Sequence, residues 1–208
     1  MKNPLKKKPA TDTAGAKALV KKVKGSIKLN VGCGTDYKKG WINIDNNSDE
    51  NIESDRLDLD WDMRNPLPFD DNSVDFIFNE HFFEHLTPDE ARVAMTDLMR
   101  VLKPGGVMRI AMPDLESVVD HYLHVPLDQD PVIKKFNIDF VKTRAEWMNM
   151  SFRWWGHMWL YDWEELVRRL HEVGYDNVVR CKLRESKRPE LRNLEVRDGS
   201  ILIAEVTK

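Results

Sequence analysis

Two glycines and a carboxylate occupy positions in the sequence from which they could bind a nucleoside. Gly32 and Gly34 follow the alternating apolar residues of a predicted strand, and Asp45 ends the next apolar run. Glycines at a strand end let the backbone approach a ligand, because they lack the Cβ atom that would block it. A carboxylate at the tip of the neighbouring strand can accept hydrogen bonds from both hydroxyls of a ribose. The spacing therefore predicts half of a nucleoside-binding site, with a plain tight turn as the alternative.

A second group of reactive side chains follows the fourth predicted strand. His81, Glu84 and His85 form the pattern H-x-x-E-H, which matches the inverted zinc-protease motif. That motif requires a helix that presents both histidines on one face, together with a downstream carboxylate ligand. Here the pattern begins at the end of a strand, before the helix that Thr87 is predicted to cap. We therefore expect no metal site, and a zinc hydrolase is kept only as a further hypothesis, which zinc on the purified protein would support.

Length and composition indicate one globular domain. The chain has 208 residues, of which 41% are apolar and 32% charged. No apolar run reaches the length of about 18 residues that a membrane span needs. Cys33 and Cys181 are the two cysteines, too few for a disulfide framework, and the Lys-rich start lacks the apolar segment of a secretory signal. These features predict a cytoplasmic location.

Charge is distributed unevenly along the chain. Residues 1–28 contain nine lysines and one aspartate, so the other 180 residues carry a net charge near −11, against −3 for the whole. A basic arm can contact nucleic acid or an anionic surface, and a solvated tail is the interpretation that we favour. The acidic body argues against a nucleic-acid groove. We predict a flexible basic arm over residues 1–24 and one domain over residues 25–208.

Predicted strands and helices alternate along this domain. Strands are predicted at residues 27–31, 41–44, 57–61, 74–78, 107–112, 178–183 and 201–206, and helices at 17–24, 88–103, 115–124, 131–150 and 163–174. This alternation predicts an α/β fold with a Rossmann-like, mostly parallel sheet and helices on both faces. The last two strands have no helix between them, which predicts an antiparallel strand near one edge. Residues 125–161 form a predicted lid-like insert rich in tryptophan.

In this order, the motifs resemble those of the class I S-adenosylmethionine-dependent methyltransferases, most closely their small type 11 members. The motifs that carry the resemblance are Asn30-Val31-Gly32-Cys33-Gly34, Asp45, Asp62 with Leu67-Pro68-Phe69, Ser73-Val74-Asp75, Glu84-His85-Leu86 and Lys103-Pro104-Gly105-Gly106. The matching features run from Lys28 to Lys208. The resemblance implies S-adenosylmethionine as the cofactor.

The resemblance also implies a role for individual residues. The turn of Gly32, Cys33 and Gly34, with Asn30 before it, would pass under the methionine and ribose portions of the cofactor, and Asp45 would accept the ribose hydroxyls. Asp62 would bind the adenine amino group beside the Met63 backbone amide. Asn79 and Glu80 would line the methionine end near the reactive methyl. The family usually has an acidic residue where Asn30 stands and a glycine where Asp36 stands. About six residues link the first two predicted strands, so the usual first helix must be shortened to a turn.

The predicted function is methyl transfer to an oxygen or nitrogen atom of a small-molecule or glycan-precursor acceptor. The alternative is a non-catalytic module that binds S-adenosylmethionine or a nucleoside. If the acceptor is a hydroxyl, His81 and His157 are the candidate bases, and a structural histidine is the alternative for each. Five of the seven tryptophans fall within residues 147–163, and they can form lid core, an acceptor platform or a partner for the sulfonium. The sequence specifies neither the acceptor nor the oligomeric state.

Overall fold

A computed structural model describes residues 9–46, 56–136, 138 and 140–208. The strands are β1 (Lys28–Val31), β2 (Ile42–Asp45), β3 (Leu59–Asp60), β4 (Val74–Glu80), β5 (Leu102–Met112), β6 (Asn177–Arg180) and β7 (Leu202–Thr207). The helices are α1 (Thr13–Lys22), α2 (Pro88–Val101), α3 (Leu115–His124), α4 (Pro131–Phe136), α5 (Arg144–Arg153) and α6 (Trp163–Glu172). Short 3₁₀ turns lie at Phe83–His85, Leu127–Gln129 and Pro189–Leu191.

The strands form one seven-stranded sheet in the order β3-β2-β1-β4-β5-β7-β6. Strands β1 to β5 pair in parallel, and β7 is antiparallel to both β5 and β6. The predicted α/β fold with a mostly parallel sheet is therefore confirmed, including the antiparallel strand near one edge. Because β1 to β4 run in the same direction, their carboxyl ends meet along one edge of the sheet, where open α/β sheets bind ligands.

The crossover between β1 and β2 contains no helix. Its residues 32–41 form turns, and yet β1 and β2 pair in parallel, with Leu29 opposite Ile42. Parallel strands are normally joined by a dozen or more residues, most often with a helix. As predicted, a turn replaces the usual first helix in the structure. The segment that links β1 and β2 is, however, longer than the predicted six residues.

Apolar side chains cover both faces of the sheet. The larger cluster combines inward residues of β1, β2, β4, β5 and β7 with the buried faces of α2 and α6. The smaller cluster, on the other face, is centred on Trp41 and Phe78, with Leu191 and Leu194 packed against them. Leu191 and Leu194 belong to the connection between β6 and β7. This connection, residues 181–201, hereafter the β6–β7 excursion, therefore packs on the face that the missing first helix leaves bare.

Part of the predicted N-terminal arm packs on the domain. Ala16 of α1 is fully buried in the larger apolar cluster, and Leu19 and Val20 pack against it. Ala10 forms a parallel bridge to Leu59 of β3. Residues 10–23 thus pack against the sheet and bury apolar side chains there. Residues 1–8 of the predicted arm lie outside the described residues.

The insert is built differently from the single helix predicted over residues 131–150. Two helices occupy this stretch, since α4 ends at Phe136 and α5 begins at Arg144. The Thr143 hydroxyl accepts a hydrogen bond from the Glu146 amide at 3.1 Å, and the Glu146 carboxylate accepts one from the Thr143 amide at 2.9 Å. This capping box starts a new helix at that point. Trp147 and Met150 are buried in a separate small core, against which Val118 and Tyr122 of α3 pack.

The start of α2 provides a test of the predicted helix cap. The Thr87 and Glu90 side chains form a full capping box, with the Thr87 amide 2.9 Å from Glu90 Oε2. We expect Thr87→Ala to lower the free energy of unfolding by about 1 kcal/mol, and the melting midpoint by about 2–4 °C. Thr96→Ala is the matched control, because Thr96 is exposed in the middle of the same helix. Calorimetric melting of both variants checks this, and equal midpoints would contradict a role for the cap.

Candidate functional site

The glycine turn and the acidic strand end meet as the sequence predicts. Gly32 and Gly34 follow β1 with φ values of 63° and 50°, in the left-handed region that favours glycine. The Gly34 amide donates a 2.6 Å hydrogen bond to Asp45 Oδ2 at the end of β2. This bond fixes the turn against the carboxylate. A ribose held by Asp45 would therefore lie directly beside the turn.

The two glycines differ in what lies above them. A Cβ atom placed on Gly32 would lie 2.5 Å from Cδ2 of Phe82, so this ring already covers the first glycine. A Cβ atom on Gly34 would meet nothing among the described residues closer than Arg197 Nη2, at 3.9 Å. The backbone at Gly34 is thus the part of the turn that a ligand can approach.

Asn30 and Asp36, the two departures from the family pattern, bond to each other across the turn. The Asn30 amide group donates to the Asp36 carbonyl at 2.7 Å and to Asn43 Oδ1 at 2.9 Å. The Lys38 ammonium lies 2.5 Å from Asp36 Oδ2 and donates to the Leu194 carbonyl at 2.6 Å. An amide at residue 30 can donate where a carboxylate could not. Asn30 thus supports the shortened crossover, and its amide group is directed at the scaffold.

Cys33 lies inside the turn as a buried free thiol. Burial raises the pKa of this thiol far above its ordinary value, and the carboxylates of Asp45 and Asp36 raise it further. A thiol in this state is a poor nucleophile. Cys33 therefore contributes its backbone and volume to the turn.

Asp62 and Met63, predicted for the adenine end, follow β3 directly. The Asp62 carboxylate accepts hydrogen bonds from the Arg64 side chain, at 2.6 Å from Nη2 to Oδ2 and 2.9 Å from Nε to Oδ1. This pairing with Arg64 lowers the pKa of Asp62 below its ordinary value. Met63 is buried in the larger apolar cluster. The carboxylate is therefore ionised at neutral pH and partly exposed beside an apolar wall.

Asn79 and Glu80, predicted for the methionine end, are the last two residues of β4 and are both buried. Neither polar atom of the Asn79 side chain has a hydrogen-bond partner among the described residues. Buried amides are almost always paired in native proteins. Together with the open backbone at Gly34 and the carboxylate of Asp45, this orphaned amide fits a bound polar ligand such as the amino-acid end of S-adenosylmethionine.

The β6–β7 excursion crosses the same edge and binds Glu80. The Glu80 carboxylate accepts hydrogen bonds from the Val196 amide at 3.1 Å, the Arg197 amide at 3.0 Å and the Ser200 hydroxyl at 2.6 Å. Arg197 Nη1 lies 3.5 Å from Glu80 Oε2. Arg197 and Ser200 were missed by the sequence reasoning. The available signal was the length of this connection, which far exceeds that of a simple hairpin loop.

The two candidate bases lie on one wall beyond β4. His81 follows Glu80 with a positive φ of 53°, which is uncommon for a residue other than glycine. Its Nδ1 lies 3.3 Å from Oε1 of the buried Glu84. His157 reaches the same wall from the insert, with its ring centroid 5.1 Å from that of His85. The H-x-x-E-H residues thus occupy a strand end and a 3₁₀ turn, not one helix face.

Burial determines the protonation states of the side chains that form this wall. It lowers the pKa of His81 to about 3, with Arg197, His157 and His85 lowering it further. It raises the pKa of Glu84 to about 8. His85 and His157 also have pKa values lowered by burial. At neutral pH the three histidines are therefore neutral.

The tryptophans of the insert divide between core and surface. Trp147 is buried in the small core of the insert. Trp154 and Trp155 are about half exposed and stack with ring centroids 5.6 Å apart. The ring of Trp155 lies 5.8 Å from that of His157, and Phe140 contacts Trp154 edge-on. Phe140, Trp154 and Trp155 therefore form an exposed aromatic strip. This strip adjoins the histidine wall, which consists of His81, His85 and His157.

Comparisons with known proteins support the fold. Residues 29–110, from β1 into β5, match the sequence model of a family described as a methyltransferase domain, of type 11. A SAM-dependent methyltransferase from Archaeoglobus fulgidus superposes with a TM-score of 0.53 at 18% identity, covering 94% of this chain and 92% of the other. One from Thermotoga maritima gives a TM-score of 0.52 at 16% identity, covering 93% and 87%. No curated protein matches at a significant level.

The chain is an α/β domain of the open-sheet type, and the solved structures share this fold. Over residues 29–110, which are less than half of the chain, the sequence is similar to a methyltransferase domain of type 11. No helix among the described residues is long and apolar enough to cross a membrane.

Proposed function

We propose that the chain transfers the methyl group of S-adenosylmethionine to an oxygen or nitrogen atom of a small-molecule or glycan-precursor acceptor. The observation that carries this proposal is the adjacency of two surfaces. The carboxyl edge of the sheet offers the open backbone at Gly34, the carboxylate of Asp45 and the orphaned amide of Asn79. The exposed aromatic strip adjoins the histidine wall that follows β4. The first surface suits the cofactor and the second suits an acceptor.

The cofactor roles follow the order of the strand ends. Asp45 accepts the ribose hydroxyls, and Asp62 receives the adenine amino group beside the Met63 amide. Asn79 and Glu80 hold the methionine end. The bound cofactor supplies an electrophilic methyl on a sulfonium, and these residues fix its position.

The acceptor side is built from the insert at residues 125–161, which acts as a lid. Stacked Trp154 and Trp155 present flat apolar faces of the kind on which a sugar or aromatic ring packs. The Met158 amide donates a 2.7 Å hydrogen bond to the Glu84 carbonyl, which ties the insert to the end of β4. This tie supports a position for the acceptor between the lid and the strand end.

Alignment of the two reactants carries most of the expected rate enhancement. Holding two groups in line can supply roughly 7–11 kcal/mol, whereas a general base adds about 10²–10⁴-fold. His81 lies next to Glu80, and its low pKa, about 3, keeps it neutral and able to accept a proton, although it is a weak base. We therefore assign to His81 a minor role in proton transfer, and to His157 a place on the acceptor wall.

A cytoplasmic location is part of the proposal. Cys33 and Cys181 are both free thiols, which suits a reducing compartment. The acidic body of the protein disfavours nucleic acid as the acceptor.

Acceptor-dependent formation of S-adenosylhomocysteine tests the proposed function. The purified chain is incubated with S-adenosylmethionine and, in separate reactions, with sugar nucleotides, free saccharides, phenols and amines. We expect product only when an acceptor of one class is present, and Trp155→Ala lowers kcat/KM for that acceptor while cofactor affinity is unchanged. Cofactor binding without turnover in any reaction would instead favour the non-catalytic module.

A further prediction concerns Arg197, which we propose binds the methionine carboxylate. Its guanidinium borders the open backbone at Gly34 and is 41% exposed. Hydrogen bonds to charged groups contribute about 1.5–3 kcal/mol. We therefore expect Arg197→Ala to weaken S-adenosylhomocysteine binding by about 10–100-fold.

A comparison of two ligands separates the contribution of the amino-acid end from that of the nucleoside end. 5′-Methylthioadenosine lacks the amino-acid portion, so Arg197→Ala should bind it as the wild type does. Lys187→Ala, in the same excursion, removes one exposed positive charge and is the matched control. Calorimetric titration of each variant with both ligands checks this, and equal losses for the two ligands would refute the assignment of Arg197.

A further inference from the structure

The structure brings two histidines and a buried glutamate from distant parts of the chain to one point. One ligand atom from each of Glu84, His85 and His157 can be chosen so that all three atoms lie within 4.8 Å of one another. Glu84 and His85 belong to the 3₁₀ turn after β4, and His157 lies in the insert, more than seventy residues later. We propose that these three side chains bind one divalent transition-metal ion, for which zinc is the representative ion.

The state of Glu84 is the first observation that points to a cation. Its side chain is 1% exposed. Neither carboxylate oxygen has a hydrogen-bond partner among the described residues, although His81 lies nearby. An unpaired buried polar group costs free energy, and a buried charge requires a partner or a metal. A cation between Glu84 and the two imidazoles would bind one carboxylate oxygen and supply the buried carboxylate with a counter-charge.

The orientation of His157 is the second observation. Its Nδ1 lies 2.7 Å from the Ser151 carbonyl, and a carbonyl can only accept, so Nδ1 carries the proton. The lone pair is then on Nε2, the atom left to coordinate. Histidines that bind metals almost always donate their other ring nitrogen to a carbonyl or carboxylate in this manner. His157 is therefore held in the tautomer that a metal ligand needs.

The backbone of the insert holds His157 at this position. The Met158 and Trp159 amides both donate to the Glu84 carbonyl, at 2.7 Å and 3.2 Å. The residue that follows His157 is thus attached directly to the residue that supplies the carboxylate. A metal ion here would connect the insert to the end of β4 through side chains as well.

The ligand set selects the class of ion. Two imidazoles and one carboxylate suit zinc and related transition metals rather than calcium or magnesium, which prefer oxygen ligands. Bond lengths of about 2.0–2.2 Å place the ligand atoms around a tetrahedral zinc about 3.4 Å apart. The ligand atoms therefore approach by up to about 1.4 Å on binding. His85 is the exposed member of the three, so its ring has the most room to make this movement.

A site with three protein ligands leaves a fourth position for water or a substrate atom. The exposed side of His85 gives this position access to solvent. In the sequence pattern H-x-x-E-H, the two candidate histidine ligands are His81 and His85. In the site proposed from the structure, they are His85 and His157.

Zinc titration of the untagged, chelator-stripped protein tests the site, with a chromogenic chelator as competitor. We expect one equivalent of Zn²⁺ to bind the wild type. Loss of an outer partner typically weakens metal binding 10–100-fold, so loss of a direct ligand in Glu84→Gln or His157→Ala should weaken it more than about 100-fold. His124→Ala is the matched control, because His124 is exposed on α3 and paired with Asp120. Cobalt absorption in the visible range reports the coordination of the same site.

Each outcome decides the proposal. If circular dichroism shows that Glu84→Gln does not fold, the test rests on His157→Ala. The ring of His157 lies at the junction with the insert. Stoichiometric binding that is lost in the ligand variants and kept in His124→Ala supports the site. No stoichiometric zinc on the wild type, or equal affinity in His157→Ala, overturns it.

Discussion

Replacement of Arg109 by methionine is expected to lower the free energy of unfolding by about 3–5 kcal/mol. Arg109 is fully buried on β5 and forms ion pairs with Glu195, and with Glu205 at 2.6 Å. It also donates to the Lys182 carbonyl at 3.0 Å. Its removal leaves two carboxylates with little exposure and no cation, and an uncompensated buried charge is costly. In a chain of this size, the melting midpoint should fall by about 6–20 °C.

The ion pair with Glu195 and the hydrogen bond to the Lys182 carbonyl attach the β6–β7 excursion to the sheet. Glu195 lies two residues before Arg197, and its second oxygen accepts from the Arg184 amide at 2.9 Å. We therefore expect hydrogen exchange in Arg109→Met to accelerate first in the excursion. Arg168→Met is the matched control, because Arg168 pairs with Glu165 and Glu172 on an exposed face of α6. If the melting midpoint of Arg109→Met differs from that of the wild type no more than the midpoint of the control does, the buried ion pairs contribute little to stability.

Loss of Asp45 is expected to abolish measurable cofactor binding. A carboxylate that accepts two ribose hydroxyls contributes hydrogen bonds of about 1.5–3 kcal/mol each. Asp45→Ala should therefore weaken binding of S-adenosylmethionine by at least about 100-fold. Calorimetric titration measures this directly.

Two further variants separate charge from structure. Asp45→Asn keeps an oxygen that can accept from the Gly34 amide, and it should still lose most of the affinity, because the amide is not a charged acceptor. Asp70→Ala removes an exposed carboxylate far from the turn and should bind as the wild type does. Full affinity in Asp45→Ala would place the ribose elsewhere.

Local sequence signals predicted the part of the site that adjacent strands create. The glycine turn and Asp45 are each set by a strand end, and parallel strands bring such ends together without further information. The cap at Thr87 was equally readable, since it needs only residues three positions apart. The order of strands and helices predicted the sheet for the same reason.

Contacts between distant segments were not readable in this way. Arg197 reaches Glu80 across 117 residues, and the polar stretch that contains it has no hydrophobic period to reveal where it packs. His157 meets Glu84 only because the insert folds back onto the end of β4. The break between α4 and α5 depends on Thr143, whose capping box interrupts an otherwise helical pattern.

The departures at Asn30 and Asp36 illustrate a third case. From the sequence they were only missing family residues. In the structure the Asn30 amide bonds the Asp36 carbonyl inside a crossover that has no helix. A crossover without a helix needs hydrogen bonds of its own to stabilise it. This requirement becomes visible only in the folded structure.

A crystal structure of the full chain with S-adenosylhomocysteine tests the central claim most directly. The ribose is predicted to lie against Asp45, with the adenine beside Asp62 and the amino-acid end between Asn79 and Arg197. Binding of the ligand away from the carboxyl ends of β1, β2 and β4, or no binding at millimolar ligand, would contradict the account.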